Sequence, residues 1–437
     1  MFEQFRHHIN AHLSFLNESR NIIAVSGGID SVVLTHLCHR LGLNIALAHC
    51  NFNLRGADSD ADESFVAQLA KNLNLEVFVQ HFDTQTYAEK NKRSIQMAAR
   101  ELRYNWFREL AQQLRFNCVL TAHHADDNLE TFLINFTRGT GLEGLTGIPE
   151  INGDFVRPLL PFSRADIEQY AQQNNLKWAE DKTNSATKYL RNKLRHEVVP
   201  VLKEINPALL QSFSSTINHL SDSSFMVNES VDEFLNQAIA HISETTITYN
   251  ISAFKNTNRP QAYLYEVFKD YGFTQWHDIT NLLNAQSGKQ VFSNSHRLIK
   301  DRDVLLLTEL GFSAPENIKI FKTDKQVKTP SGTLFFSEAE EIKQDNNTIY
   351  VDKNLLQYPL ILRKREEGDV FYPIGMNGKK KKLSKYFKDE KLALPDKESA
   401  WLLCSNNNIV WVVGKRADNR FKVTENTTKV LKIELKP

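Results

Sequence analysis

Six consecutive residues, Ser26-Gly27-Gly28-Ile29-Asp30-Ser31, constrain this chain more than any other stretch of it. They follow an apolar run, Asn21-Ile22-Ile23-Ala24-Val25, and precede a periodic one, Val32-Val33-Leu34-Thr35-His36-Leu37. The first reads as a buried parallel strand and the second as the start of a helix. Two adjacent glycines at the hinge permit a tight bend and present bare N–H groups to an oxyanion. Ser31 and the first helical N–H groups lie where the helix dipole also favours negative charge. The segment reads as a phosphate cradle. It lacks the Gly-Lys-Ser/Thr of a Walker A loop and the third glycine of a dinucleotide fingerprint. Asp30 would repel phosphate unless a metal ion lay between them.

The surrounding residues repeat the same alternation. Short apolar runs at Asn44–His49, Glu76–Phe82 and Asn117–His123 are separated by helical stretches near Ser31–Leu41, Ser59–Leu73 and Ser94–Leu114. This rhythm predicts an α/β fold, a parallel sheet with helices on both faces and a site at the carboxyl ends of its strands. With 437 residues the chain has room for two or three domains. The pattern changes near Asn206-Pro207, where apolar residues from Phe213 to Leu235 recur at helical spacing and few strand signals follow until about Gln290. Beyond Gly311 short β runs appear at Thr333–Phe336, Thr348–Val351, Leu360–Leu362, Ile409–Val413 and Val430–Leu435. We expect a catalytic domain over 1–205, a helical middle domain over 206–310 and a small mixed, β-rich domain over 311–437.

Composition excludes several classes. A formal charge of +1 means that any nucleic-acid surface is a local patch. Cys38, Cys50, Cys118 and Cys404 form no Cys-x-x-Cys pair, which argues for a reduced compartment and against zinc or a disulfide framework. Met1–His12 carries no apolar signal region, and no uncharged run approaches bilayer length. A cytoplasmic protein without a membrane partner is expected, with an oligomer compatible with the sequence.

A second set of chemical residues follows the run at Asn117–Thr121. In His123-His124-Ala125-Asp126-Asp127-Asn128-Leu129-Glu130, a helix beginning here gathers Asp126, Asp127 and Glu130 on one side. Carboxylates at a helix start also favour the dipole. Leaving the sheet at the same edge as the cradle, they suit Mg²⁺ or a substrate ammonium group equally. His123 and His124 are strand-end residues with or without a catalytic role. A run with four glycines, Thr137–Gly147, then leads to Arg157-Pro158-Leu159. Arg100 and Arg103 share one helix with Gln96 and Tyr104, and an arginine facing the phosphates would suit developing negative charge. Lys188–Arg195 holds four basic residues and no acidic one, with Arg191 and Arg195 on one face: a solvated helix or a phosphate-backbone contact. Lys379-Lys380-Lys381-Lys382 and Lys385 interleave with Tyr386-Phe387. The span Arg363–Lys391 holds ten Lys and Arg against five Asp and Glu, a local +5 that suits a phosphate backbone.

The hexapeptide resembles the pyrophosphate loop (PP-loop) of the ATP-pyrophosphatase superfamily. Further pieces are Arg55-Gly56 with Asp60 and Glu63, Gln96–Tyr104, His123–Thr131, Arg138–Gly147, Arg157-Pro158-Leu159 with Ser163-Arg164, and Asp181–Arg195. With them the first two hundred residues resemble the tRNA(Ile)-lysidine synthetase family, and Arg363–Lys388 resembles the terminal module of its long bacterial form. Asn128 stands where the family pattern commonly has Gln. The resemblance implies ATP and Mg²⁺, free L-lysine, and an isoleucine tRNA with a CAU anticodon whose wobble cytidine becomes lysidine. It implies ATP binding at Ser26, Gly27, Gly28, Ile29, Asp30 and Ser31, with Mg²⁺ on Asp30. Asp30, Arg100, Asp127 and Glu130 would be catalytic, and Asp127 with Glu130 would hold lysine or a metal beside it. Arg191, Arg195, Lys379, Lys380, Lys381, Lys382 and Lys385 would hold tRNA. Rival readings are a tRNA thiolation enzyme, which normally uses a cysteine pair or an iron–sulfur cluster, and a non-catalytic RNA-binding protein on a decayed nucleotide fold.

Overall fold

The run Asn21–Ala24 is strand β1, and its alternation sorts side chains to two cores: Ile23 joins one apolar layer while Ile22 joins the other. The computed structural model describes residues 1–54, 56–179, 190–310, 317–329, 332–339, 341–342, 345, 347–376 and 378–436. Arg55, residues 180–189, Ser331 and Asn377 lie outside the described residues.

The chain divides into two compact units, Met1–Glu229 and Ser230–Pro437. In the first, α1 (Phe2–His12) precedes β1, α2 (Ile29–Leu41), β2 (Ile45–Asn51), α3 (Ala57–Leu73), β3 (Val77–His81), α4 (Thr84–Lys90), α5 (Ile95–Leu114) and β4 (Cys118–Leu120). Then come α6 (Ala125–Arg138), β5 (Ile151–Asn152), β6 (Phe155–Val156), α7 (Arg164–Gln173), α8 (Leu190–Lys193), α9 (Val199–Ile205) and α10 (Leu209–Ala238), whose last turns belong to the second unit. The sheet order is β3-β2-β1-β4-β6-β5, parallel except where β5 meets β6. The order reverses between β1 and β4, so the crevice at their carboxyl ends is the topological switch point where such sheets bind ligands. Both the cradle and the His123–Glu130 segment leave the sheet there. The expected boundary at 205 differs from the compact unit, which reaches Glu229. Phe213 and Ile217 of α10 pack with Leu129 of α6 and Val199 of α9 and carry the first unit past Asn206-Pro207.

The second unit holds β7 (Ile239–Ile242), β8 (Thr246–Asn250), α11 (Ile251–Lys255), α12 (Pro260–Phe268), α13 (Trp276–Leu282), β9 (Gln290–Phe292), β10 (His296–Asp301) and β11 (Val304–Glu309). Its helices pack on an antiparallel sheet of order β7-β8-β11-β10-β9. Two of these strands lie where the sequence reads as helical, because α10 passes directly into β7 at Ala238-Ile239 with no Gly or Pro to mark the change. Next come β12 (Ile318–Ile320), β13 (Gln326–Thr329), β14 (Gly332–Glu338), β15 (Thr348–Asp352), β16 (Leu360–Lys364), β17 (Val370–Phe371) and β18 (Lys381–Lys382). The last elements are α14 (Leu383–Asp389), α15 (Leu394–Ser399), β19 (Trp401–Ser405), β20 (Asn408–Val412) and β21 (Val430–Lys436). They form sheets β12-β16-β19-β20 and β13-β14-β21-β15 and the hairpin β17-β18.

Candidate active site

Gly27 takes φ +93°, a conformation that L side chains rarely adopt, and its carbonyl accepts the Ala179 N–H at 2.9 Å. Gly28 is the N-cap of α2 with extended backbone. Ser31 Oγ donates to the Gly28 carbonyl at 2.9 Å, and Ser26 Oγ lies 3.5 Å from it. Ile29 buries its side chain in the core and has only its N–H to offer a ligand. The turn therefore exposes a serine hydroxyl and backbone donors at a helix N-terminus, the arrangement that suits a phosphate.

Below it lies a cavity of about 260 Å³, lined by Ser26, Asp30 and Ser31 on one side and by Arg100, Tyr104, His123, Asp127 and Arg191 on the other. Phe52, Phe107 and Cys50 add an apolar wall. The guanidinium of Arg100 sits 4.7 Å over the Tyr104 ring. Arg103, which also lines the cavity, lies 5.2 Å over Phe52.

Asp127 begins by capping its own helix. Its Oδ2 accepts the His124 N–H at 3.2 Å, while His124 Nδ1 accepts the Asp127 N–H at 3.4 Å. His124 Nε2 lies 3.4 Å from Asp127 and 3.8 Å from Asp30. Asp126 turns elsewhere: it accepts the Arg164 N–H at 2.8 Å and the Lys203 ammonium at 2.5 Å. Burial alone would raise its pKa, but those two donors pull it below the ordinary value.

The structure pairs the half-exposed Arg191 and Arg195 with carboxylates of α6. Arg191 Nε donates to Glu130 at 2.8 Å, and Arg195 Nε donates to the other Glu130 oxygen at 2.6 Å. Arg195 Nη2 reaches Asp127 Oδ1 at 3.1 Å. Arg191 sits on α8, and Arg195 on the π-helical turn Leu194–Val198 that follows, so both reach α6. Glu130, with a side chain only 2% exposed, requires such partners because an unpaired buried carboxylate is expensive. Arg164 Nη1 bonds both oxygens of Asp30, at 2.7 and 2.6 Å. Four carboxylates, Asp30, Asp126, Asp127 and Glu130, thus meet four cations, Arg164, Lys203, Arg191 and Arg195. The sequence reading identified Asp30, Asp127 and Glu130 as carrying chemistry. It missed what Arg164 and Lys203 do, since nothing local to Ser163-Arg164 signals a partner 134 residues away.

Burial raises the pKa of Asp30, and the like charge of Asp127 adds to this, while His124 and Arg164 oppose it. A carboxylate held this way gains from a further cation. Mg²⁺ is usually held by one or two carboxylates plus substrate phosphates, and Asp30 would supply such a carboxylate once an oxygen is released from Arg164.

The glycine run is tied to α6. Asn128 Oδ1 accepts the Ile148 N–H at 2.6 Å, and Asn135 donates to the Gly144 carbonyl at 2.8 Å. At Gly147, with φ +77°, a Cβ would lie 2.2 Å from Asn128 Oδ1, so a larger residue would push the Asn128 amide off the Ile148 N–H.

His123 Nδ1 lies 2.9 Å from Thr121 Oγ1. Burial pushes its pKa down to about 4; Arg157, Arg191 and Arg100 add to the shift and Asp127 opposes it. The unfolded chain binds this proton near 6.5, so the ring's contribution to stability is present above 6.5 and lost as pH falls toward 4. His123→Gln is expected to flatten the acid limb of the stability curve in that window, read by urea melts. An acid limb identical to wild type would show a ring that titrates alike in both states.

In the second unit, Lys379, Lys380, Lys382 and Lys385 are exposed. Lys381 differs: its ammonium pairs with Asp389 at 2.7 Å and stands 5.7 Å over Tyr386. Tyr386 and Phe387 are buried in the core beside Phe371, because α14 turns its aromatic face inward. Arg363 is likewise occupied, by a two-pronged pair with Asp369.

Residues 1–202 match the family profile described as PP-loop domain, residues 242–310 that of the TilS substrate binding domain, and residues 360–435 that of the TilS substrate C-terminal domain. A tRNA(Ile)-lysidine synthase of Parabacteroides distasonis is 40% identical over 425 residues, covering 95% of each chain. Its counterpart in Bacteroides thetaiotaomicron is 38% identical over 421 residues, again 95% of each. That of Caldanaerobacter subterraneus is 30% identical over 466 residues, 99% of this chain and 97% of that one. Similarity of this extent, over a chain whose phosphate cradle and carboxylate cluster share one cavity, places it in the tRNA(Ile)-lysidine synthase family.

Proposed function

We propose that this chain uses ATP to convert the wobble cytidine of a CAU-anticodon isoleucine tRNA to lysidine. The observation that carries the reading is the single cavity joining the phosphate cradle to Asp127. The carbonyl oxygen at carbon-2 of cytosine is a poor leaving group. Transfer of AMP from ATP onto that oxygen, with loss of pyrophosphate, makes it a good one. The ε-amine of lysine then bonds to carbon-2 and AMP departs.

Ser26, Ser31 and the N–H groups of Gly27, Gly28 and Ile29 bind and orient the phosphates. Asp30 would hold Mg²⁺, which when bound offsets phosphate charge. Arg100, lining the cavity with no carboxylate partner among the described residues, faces the negative charge that develops there. Asp127 takes an ammonium end of lysine, with Glu130 behind it fixing Arg191 and Arg195. Burial pushes the Cys50 thiol up to about 12, so this cavity cysteine is not a thiolate near neutrality, which disfavours thiolation. No helix among the described residues is long and apolar enough to cross a membrane. A reaction that consumes ATP and free lysine on a tRNA suits the cytoplasm, where all three are held.

Label from the α-phosphate of ATP should appear on the tRNA when lysine is withheld and leave as AMP when lysine is added. Label that never reaches the tRNA would reject the scheme.

The exposed lysines grip the tRNA body. Replacing Lys379, Lys380 and Lys382 together by Ala is expected to lower the slope of log affinity against log salt by about 2 to 3, at roughly 0.9 per phosphate contact. Lys381 stays, since its role is within its own domain. An unchanged slope would mark the run as solvated surface.

A further inference from the structure

An open groove beside α12 and α13, about 1060 Å³ in volume, plays no part in the chemistry above. Leu264, Val267 and Phe268 of α12 and Ile279 and Leu282 of α13 are buried in the core of the second unit. Tyr265 and Trp276, both half-buried and Trp276 also packed on that core, line the groove, their rings meeting edge to face with centroids 4.8 Å apart. Lys255 and Arg259 stand exposed on the groove. Neither side chain has a hydrogen bond or ion pair among the described residues, and the Trp276 indole N–H has no acceptor there. The one carboxylate on the groove, Glu266, is held by Lys269 at 2.8 Å. The groove therefore presents cations, an unused donor and aromatic surface, with its only negative charge already paired.

That combination selects among occupants. A paired RNA stem would use the cations and leave the aromatic wall idle, since its bases are stacked on one another. An apolar peptide would leave two cations and an N–H without partners. An unpaired nucleotide satisfies all of it: a base face on the aromatic wall and phosphates on the cations. We propose that this groove takes an unpaired nucleotide of the tRNA, its base against Trp276 and Tyr265 and its phosphates on Lys255 and Arg259. This rests on the reading of tRNA as substrate. Stacking accepts any base, so the contact adds affinity and register while sequence choice lies elsewhere.

The test uses the full chain and a transcript of the CAU-anticodon isoleucine tRNA, with binding measured over a salt series. Trp276→Ala is expected to weaken binding about tenfold or more with the salt slope unchanged, and Trp276→Phe to recover most of the loss. Lys255→Ala with Arg259→Ala is expected to lower the slope by about 1.4, at roughly 0.7 per single-strand contact. These two side chains are exposed, so the double variant reads the groove even if Trp276→Ala fails to fold. Wild-type affinity and slope in the double variant, with wild-type affinity in any folded Trp276 variant, would overturn the groove while leaving the tRNA reading in place. That outcome would turn attention to a protein occupant. Failure of the wild-type chain to bind this tRNA would overturn both.

Discussion

A Gly28→Val chain is expected to fold and to lose ATP-dependent adenylation of tRNA, by about a hundredfold or more in rate. Gly28 has φ −69° and ψ 159°, an extended conformation that valine adopts readily. A Cβ built there meets only Ser26 Oγ, at the ordinary distance of 3.5 Å. The new side chain therefore costs the fold little, yet it stands where a phosphate oxygen must approach the backbone. Loss of one preorganised donor to a developing charge costs about a hundred- to a thousandfold in rate. Gly27 behaves differently. Its φ of +93° makes Gly27→Ala a backbone strain of about 1 to 2 kcal/mol, although the added Cβ meets Ala179 at only 3.5 Å. Thermal melts and labelled-ATP transfer on both variants separate the two effects. A Gly28→Val chain that adenylates at the wild-type rate would show that the cradle is not where the phosphates bind.

The second large effect is expected from the two carboxylates of α6, which do different work. Glu130→Gln removes the nearer of the two carboxylates that Arg191 and Arg195 share and leaves them Asp127 alone. Breaking a buried pair costs about 3 to 5 kcal/mol, and the lower end applies because Arg191 and Arg195 are 40% and 34% exposed. Asp127 lines the cavity, and its loss falls on function. Asp127→Asn is expected to slow lysine transfer at least about thirtyfold while adenylation continues, so AMP-linked tRNA accumulates. Urea melts and the ratio of adenylated to lysine-modified tRNA read the two apart. Equal stability loss in both variants, with no build-up of the AMP-linked species, would assign both carboxylates to structure alone.

Much of this site was legible because its chemistry is local in sequence. Ser26–Ser31 sits at a strand-to-helix turn, and His123–Glu130 leaves a neighbouring strand, so the β-α rhythm alone brings both to one crevice. What pairs across long separations was not legible. Asp30 with Arg164, and Glu130 with Arg191 and Arg195, depend on how α7 and α8 lie against α2 and α6, and periodicity carries no information about partners. The lysine run shows the same limit. Four consecutive charges look equivalent in sequence, yet β18 turns Lys381 onto Asp389 and Tyr386 and leaves its neighbours in solvent. Strands β7 and β8 were hidden for a different reason. Each is only four or five residues long, and Ser243-Glu244-Thr245 between them carries none of the Gly or Asn that mark a tight hairpin.

Mass spectrometry of nucleosides from a CAU-anticodon isoleucine tRNA, incubated with this chain, ATP and lysine, tests the central claim most directly. The expected result is loss of the wobble cytidine, with a new nucleoside heavier by one lysine less one water, formed only when ATP, lysine and the chain are all present. An unmodified cytidine after complete incubation, with the tRNA shown to be bound, would contradict it.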